Sequence, residues 1–148
     1  MELIKLKSTS ESKWFGMRDC QIELEDSGHI IELKYISEPP HGDSYHELRI
    51  NNKLFQGYVW GCMFLFPYNQ EFMVCQWMEK LYQRRTIIVN LCNLDYHVFN
   101  NSYSVYEFDE VLLFGNYRNE EKFEVNIDEI VWINSMDRID DNKVNGKI

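Results

Sequence analysis

The sequence predicts a mainly β domain: an antiparallel meander forming a sandwich or a partly open barrel, with at most one or two short helices. Three observations predict it. Runs rich in aromatic and β-branched residues follow one another at short spacing, short turn segments separate them, and helical periodicity is thin throughout. An incomplete propeller-like sheet is the next alternative.

The centre of the chain carries the strongest pattern. Residues 58–78, YVWGCMFLFPYNQEFMVCQWM, are as long as a membrane span. Pro67, Asn69, Gln70 and Glu71 interrupt the middle, where lipid penalises polar groups most. Pro67 also breaks a soluble helix. The stretch therefore reads as a hairpin, with one strand to about Phe66, a four-residue connection, and a second strand from about Glu71. Alternation places Tyr58, Trp60, Cys62, Phe64 and Phe66 on one side, with Val59, Met63 and Leu65 on the other. Two apolar faces mark a central strand covered on both sides. Gly57 and Gly61 point to a bulge or a close approach of backbone.

The other elements follow in order. Cys20–Glu25 alternates, with Ile22 and Leu24 facing in, and Asp26-Ser27-Gly28 turns it into His29–Ile36. Tyr45–Ile50 is a short strand closed by Asn51-Asn52. Thr86–Leu91 is β-branched and buried, and a turn at Asn93–Asp95 leads to Tyr96–Phe99. Tyr103–Phe114 reads as one long segment, and a last pair is expected from Phe123–Ile127 and Ile130–Ile133. Glu79–Arg85 allows one or two helical turns, and Asp128–Met136 is ambiguous. One domain over residues 1–136 is expected, followed by a polar, frayed tail over 137–148.

Composition narrows the function. A chain of 148 residues, 45% hydrophobic and 15% aromatic, can bury a sizeable core. The N-terminus lacks the apolar run of a secretory signal. Cys20, Cys62, Cys75 and Cys92 form no CxxC pair, so a reduced, cytoplasmic protein is expected. The balance of 24 acidic against 15 basic residues gives a net charge of −9. That disfavours nucleic-acid binding and docking on anionic membranes; it serves solubility alone, or it suits a basic partner.

Chemistry-bearing motifs are few. No GxSxG elbow, glycine-rich phosphate cradle or HExxH pair is present. The segment Glu38-Pro39-Pro40-His41-Gly42-Asp43-Ser44-Tyr45-His46-Glu47 gathers plausible metal or acid–base groups in His41, Asp43 and His46, against the simpler reading of an ordered surface loop. Acidic residues cluster at Glu107, Asp109 and Glu110 and again at Glu120 and Glu121. Strand alternation groups Glu107 and Asp109 with Val105 and Val111, opposite Tyr106, Phe108, Leu112 and Phe114. A solvated face explains such a cluster. So does a recognition surface in which carboxylates pair with a partner's Lys or Arg, with Tyr103 and Tyr117 as anchors. The expected partner-binding residues are thus Glu38, His41, Asp43, Tyr45, His46, Tyr103, Glu107, Asp109, Glu110, Tyr117, Glu120 and Glu121. No residue is assigned to catalysis or to a metal, and no cofactor is expected.

The runs EPPHGDSYHEL, GYVWGCMFLFPYNQEFMVCQWM and RRTIIVNL resemble small immunity proteins encoded beside bacterial polymorphic toxins of type VI, Rhs or contact-dependent systems. The resemblance covers roughly residues 20–115. It implies a non-enzymatic cytoplasmic protein that binds a cognate toxin domain and occludes its active site, and it transfers no individual site residue. Two alternatives stand beside it: a small metal-dependent or acid–base enzyme using the His41/Asp43/His46 loop, and a structural subunit that covers a partner's sheet edge.

Overall fold

A computed structural model describes residues 1–40, 42–117 and 121–134. Its strands are β1 (Glu2–Leu6), β2 (Lys13–Trp14), β3 (Cys20–Leu24), β4 (Ile30–Ser37), β5 (Tyr45–Ile50), β6 (Lys53–Leu65), β7 (Phe72–Met78), β8 (Arg85–Asn90), β9 (Tyr96–Val98), β10 (Ser104–Phe108), β11 (Val111–Gly115) and β12 (Lys122–Val125). A one-turn helix α1 (Pro67–Gln70) joins β6 to β7, and a 3-10 turn covers Ile127–Glu129.

The fold is all-β, as expected. Nine strands form one sheet in the order β1-β3-β4-β5-β6-β7-β8-β9, with β2 added on β6, and β10-β11-β12 form a second sheet. The meander holds from β3 to β9, where every neighbouring pair is antiparallel. The first strand departs from it, because β1 pairs parallel with β3. The intervening chain first crosses to β6 through β2, and a long crossover of this kind is what a parallel pair requires.

β7 and β8 show why the centre is apolar on both faces. Met73, Cys75, Trp77, Ile87 and Val89 belong to one core, inside the large sheet. Val74 and Ile88 alternate onto the other face, where they meet Leu112, Phe114, Val105 and Val125 of the small sheet. Each such fully buried aliphatic side chain contributes about 1.5–3 kcal/mol over its exposed state.

β6 breaks the simple alternation. Val59 and Phe64 lie in the same core although their positions differ by an odd number. They pair with Trp77 and Cys75, so the strand carries extra residues between them. Gly57 and Gly61, at φ 72° and 92°, supply the irregular backbone. Consequently Met63 is exposed instead of buried opposite Phe64.

The bent sheet folds over on itself, and buried Gln70 ties the fold-over. Its amide oxygen accepts from Asp26 N–H at 2.9 Å and its amide nitrogen donates to the Leu6 carbonyl at 2.9 Å. The β6–β7 connection is thereby fastened to the opposite edge of the same sheet.

The segment 103–114 is a hairpin, not one long strand. Asp109 and Glu110, at φ 49° and 63°, form a two-residue turn of the kind that matches strand twist. The turn brings Leu112 and Phe114 onto the face of Glu107 and Val105, with Glu107 opposite Leu112 and Val105 opposite Phe114. Only the first half of the expected C-terminal strand pair forms. After β12 the chain makes the 3-10 turn, and Ile133 meets Tyr96 in a single bridge. Residues 79–84 form turns and no helix, and the 137–148 tail lies outside the described residues.

Candidate functional site

The three-stranded sheet docks through a buried polar network before its strands begin. Gln76 donates from Nε2 to the Tyr103 carbonyl at 2.8 Å, and its Oε1 accepts from Thr86 Oγ1 and Ser102 Oγ at 3.1 and 2.6 Å. Thr86 Oγ1 in turn accepts from Tyr103 N–H at 2.8 Å. This satisfied network fixes where the β10–β11 hairpin projects.

The tip of that hairpin forms one wall of a cleft of about 400 Å³. Glu107 and Glu110 line this wall, Tyr68 and Asn69 of α1 the second, and Ser8, Thr9 and Ser10 the third. α1 is wound left-handed, with Tyr68, Asn69 and Gln70 at φ 54°, 57° and 64°. Such residues cost about 1–2 kcal/mol each and persist where the surroundings over-determine them. Here Glu107 Oε2 accepts Tyr68 N–H at 3.3 Å, while Gln70 is held by its two amide bonds. The Ser8–Ser10 segment is anchored as well: Asp26 Oδ2 accepts Ser8 N–H at 2.8 Å, and Glu107 N–H donates to the Ser10 carbonyl at 3.0 Å. Negative charge gathers around the cleft. Burial first, and then the charges of Glu107, Glu124 and Asp128, hold the Tyr68 phenol above its usual pKa despite a Leu112 backbone hydrogen bond.

The other expected residues fall in three places. Asp43 and Tyr117 converge, through Arg84, on an exposed patch. Arg84 Nη1 lies 3.5 Å from Asp43 Oδ2, and its guanidinium sits 5.7 Å from the Trp60 ring centre. Trp60 donates from Nε1 to the Asp43 carbonyl at 2.9 Å, and its ring meets Tyr82 edge-on at 5.7 Å. Tyr117 is 63% exposed and feels the charges of Arg84 and Asp43. Trp, Tyr and Arg in one patch is the composition of interface anchors.

His46 and Tyr103 both turn inward, to different degrees. His46 is wholly buried, with its ring edge-on to Tyr35 at 5.8 Å, so it offers nothing to a surface partner. Burial also holds its imidazole below the usual pKa, against a smaller opposing effect of the Arg18 backbone and Asp19. With Asp43 turned to Arg84, the two do not form the metal or acid–base pair of the alternative reading. Tyr103 is half-buried between the sheets, stacked on Phe114 at 5.6 Å and donating from its hydroxyl to Asn100 Oδ1 at 3.1 Å. These contacts tie it into the fold. Tyr45 is half-buried against Tyr58, while Glu38, Asp109 and Glu121 are exposed. His41 and Glu120 lie outside the described residues.

One constellation was not foreseen. His29, Glu71 and Cys92 come from three different turns, and their ligand-type atoms lie within 4.8 Å of one another. Cys92 donates from Sγ to Glu71 Oε2 at 3.0 Å, and His29 Nε2 lies 3.4 Å from the same oxygen. The carboxylate raises the Cys92 thiol pKa, chiefly through that hydrogen bond, and the thiol correspondingly lowers the carboxylate's. No spacing in the sequence marks this group, because the fold-over of the sheet assembles it.

Against known proteins, no family model, no curated protein and no solved structure matches this chain. Among the described residues no helix is long and apolar enough to cross a membrane.

Proposed function

We propose that this protein is an immunity protein: it binds a basic toxin domain in the cytoplasm and occludes it. The observation that carries this reading is the cleft walled by Glu107 and Glu110. Its size admits a side chain, its walls are pinned by hydrogen bonds, and its carboxylates match the charge of a partner's Lys or Arg. A net charge of −9 would steer such a partner toward the protein. Contacts in the cleft would then set how long the complex lasts. The resemblance of the central runs to immunity proteins points the same way.

The test co-expresses the chain with a candidate basic toxin domain, taken from any toxin gene that neighbours its own, and measures growth. Wild type should rescue growth, and the double variant E107Q/E110Q should rescue it poorly. Purified components should show affinity that falls with salt, with a shallower salt dependence for the variant. Rescue by the variant at wild-type level, with unchanged salt dependence, would remove the cleft from the mechanism. No rescue and no complex by the wild type would remove the immunity reading itself.

A further inference from the structure

We propose that His29, Glu71 and Cys92 form a binding site for a zinc-type divalent cation, which staples three turns of the folded-over sheet. The argument is geometric. Zinc bonds of about 2.3 Å to sulfur and about 2.0–2.2 Å to nitrogen and oxygen, at tetrahedral angles, place donor atoms roughly 3.3–3.6 Å apart. The three separations here are 3.4 Å for His29 Nε2 to Glu71 Oε2, 3.7 Å for Cys92 Sγ to His29 Nε2, and 3.0 Å for Cys92 Sγ to Glu71 Oε2. Two match, and the third needs an opening of about half an ångström, within reach of an exposed cysteine. One thiol, one imidazole and one carboxylate suit zinc over magnesium or calcium, which take oxygen alone.

The supporting turns are ordered. Leu91 N–H donates to the Glu71 carbonyl at 3.0 Å, joining the β6–β7 and β8–β9 turns, and Cys92 N–H donates to Asn90 Oδ1 at 3.0 Å. Leu24 N–H donates to the His29 carbonyl at 2.9 Å. His29 is largely covered and Cys92 exposed, so three ligands come from the chain and the fourth position faces solvent.

Asn51 tunes the site. Its Oδ1 accepts from Ile30 N–H at 2.9 Å, which aims its Nδ2 at His29 Nδ1, also at 2.9 Å. The neutral ring therefore carries its proton on Nε2, the atom a cation would use. Binding exchanges that proton for one on Nδ1, and Asn51 must then turn its amide to accept it, at the expense of the Ile30 bond. Cys92 loses its proton to solvent, so one proton is released per ion. Ligating histidines ordinarily donate their second N–H to an acceptor, and Asn51 withholds one. N51D supplies two acceptor oxygens, one for Ile30 and one for Nδ1.

The test titrates the purified chain with Co2+ and then Zn2+, following the thiolate-to-cobalt charge-transfer absorption and the thermal midpoint. One Co2+ per chain should bind, Zn2+ should displace it and raise the midpoint, and Mg2+ should do neither. C92S should lose the charge-transfer band, and H29A should bind at least tenfold more weakly. N51D should bind about 10–100-fold more tightly, the range that outer-shell partners command. Far-UV circular dichroism matching wild type identifies folded variants. No band in wild type, a band that survives in C92S, or N51D binding no tighter than wild type overturns the proposal.

Discussion

Gly57 lies directly beneath the indole of Trp77: a Cβ at position 57 would stand 2.5 Å from the ring. The same indole donates from Nε1 to the Gln56 carbonyl at 2.9 Å, so it cannot swing aside without losing that bond. Since Gly57 also has φ 72°, Gly57→Ala meets both an overfilled contact and a left-handed backbone. We predict a loss of about 2–4 kcal/mol in denaturant unfolding. A loss below about 0.5 kcal/mol, the range of ordinary surface substitutions, would show that the bend of β6 does not depend on this contact.

The polar network under the small sheet makes a second prediction. Gln76→Leu keeps the volume but orphans the Tyr103 carbonyl and the hydroxyl protons of Thr86 and Ser102. It should cost about 1–3 kcal/mol and increase amide exchange in β10 and β11 more than in β3 and β4. Uniform exchange across both sheets would mean that Gln76 does not fasten them together.

His46 should make stability depend on pH. Its folded pKa lies below the unfolded value, so between the two the unfolded chain binds more protons. Stability is therefore full above about pH 6.5 and falls on acidification, by at most about 1.4 kcal/mol per pH unit, until the folded pKa is reached. His46→Phe should flatten the unfolding free energy between pH 7 and pH 5 relative to wild type. An unchanged slope in the variant would assign the dependence to other groups.

Cys92 is exposed, whereas Cys20, Cys62 and Cys75 are buried. A thiol-alkylating reagent should label Cys92 first in the metal-free folded chain. Glu71→Gln removes the charge that raises the thiol's pKa, so it should accelerate labelling severalfold near neutral pH. Equal rates in the two proteins would mean that the Cys92–Glu71 hydrogen bond is not maintained in solution.

Much of this architecture was legible residue by residue. β5 runs from Tyr45 to Ile50 as its alternation indicates, and the hairpin around Pro67 separates β6 from β7 where turn residues replace apolar ones. These features depend on neighbours along the chain, and a period of two records them directly. The Tyr103–Phe114 hairpin was not legible, because Asp109-Glu110 lacks the Gly or Asn that usually announces a turn with positive φ. Leu112 and Phe114 therefore landed on the same face as Glu107 and Val105, and not on the opposite one that unbroken alternation suggested. At the candidate site, the acidic residues were visible, but the cleft between them was not. Its other walls, Ser8–Ser10 and Tyr68–Asn69, come from far along the chain.

Local pattern and composition set the class of fold, the order of most strands and the acidic character of the surface. Long-range packing set the parallel pairing of β1 with β3, the inward turn of His46 and Tyr103, and the meeting of His29, Glu71 and Cys92. The meeting of His29, Glu71 and Cys92 accompanies the closure made by Gln70, and the Gln76–Thr86 network holds Tyr103. Contacts between distant turns depend on how a sheet curves, and curvature arises from bulges and cross-links whose effects fall far from the residues that make them.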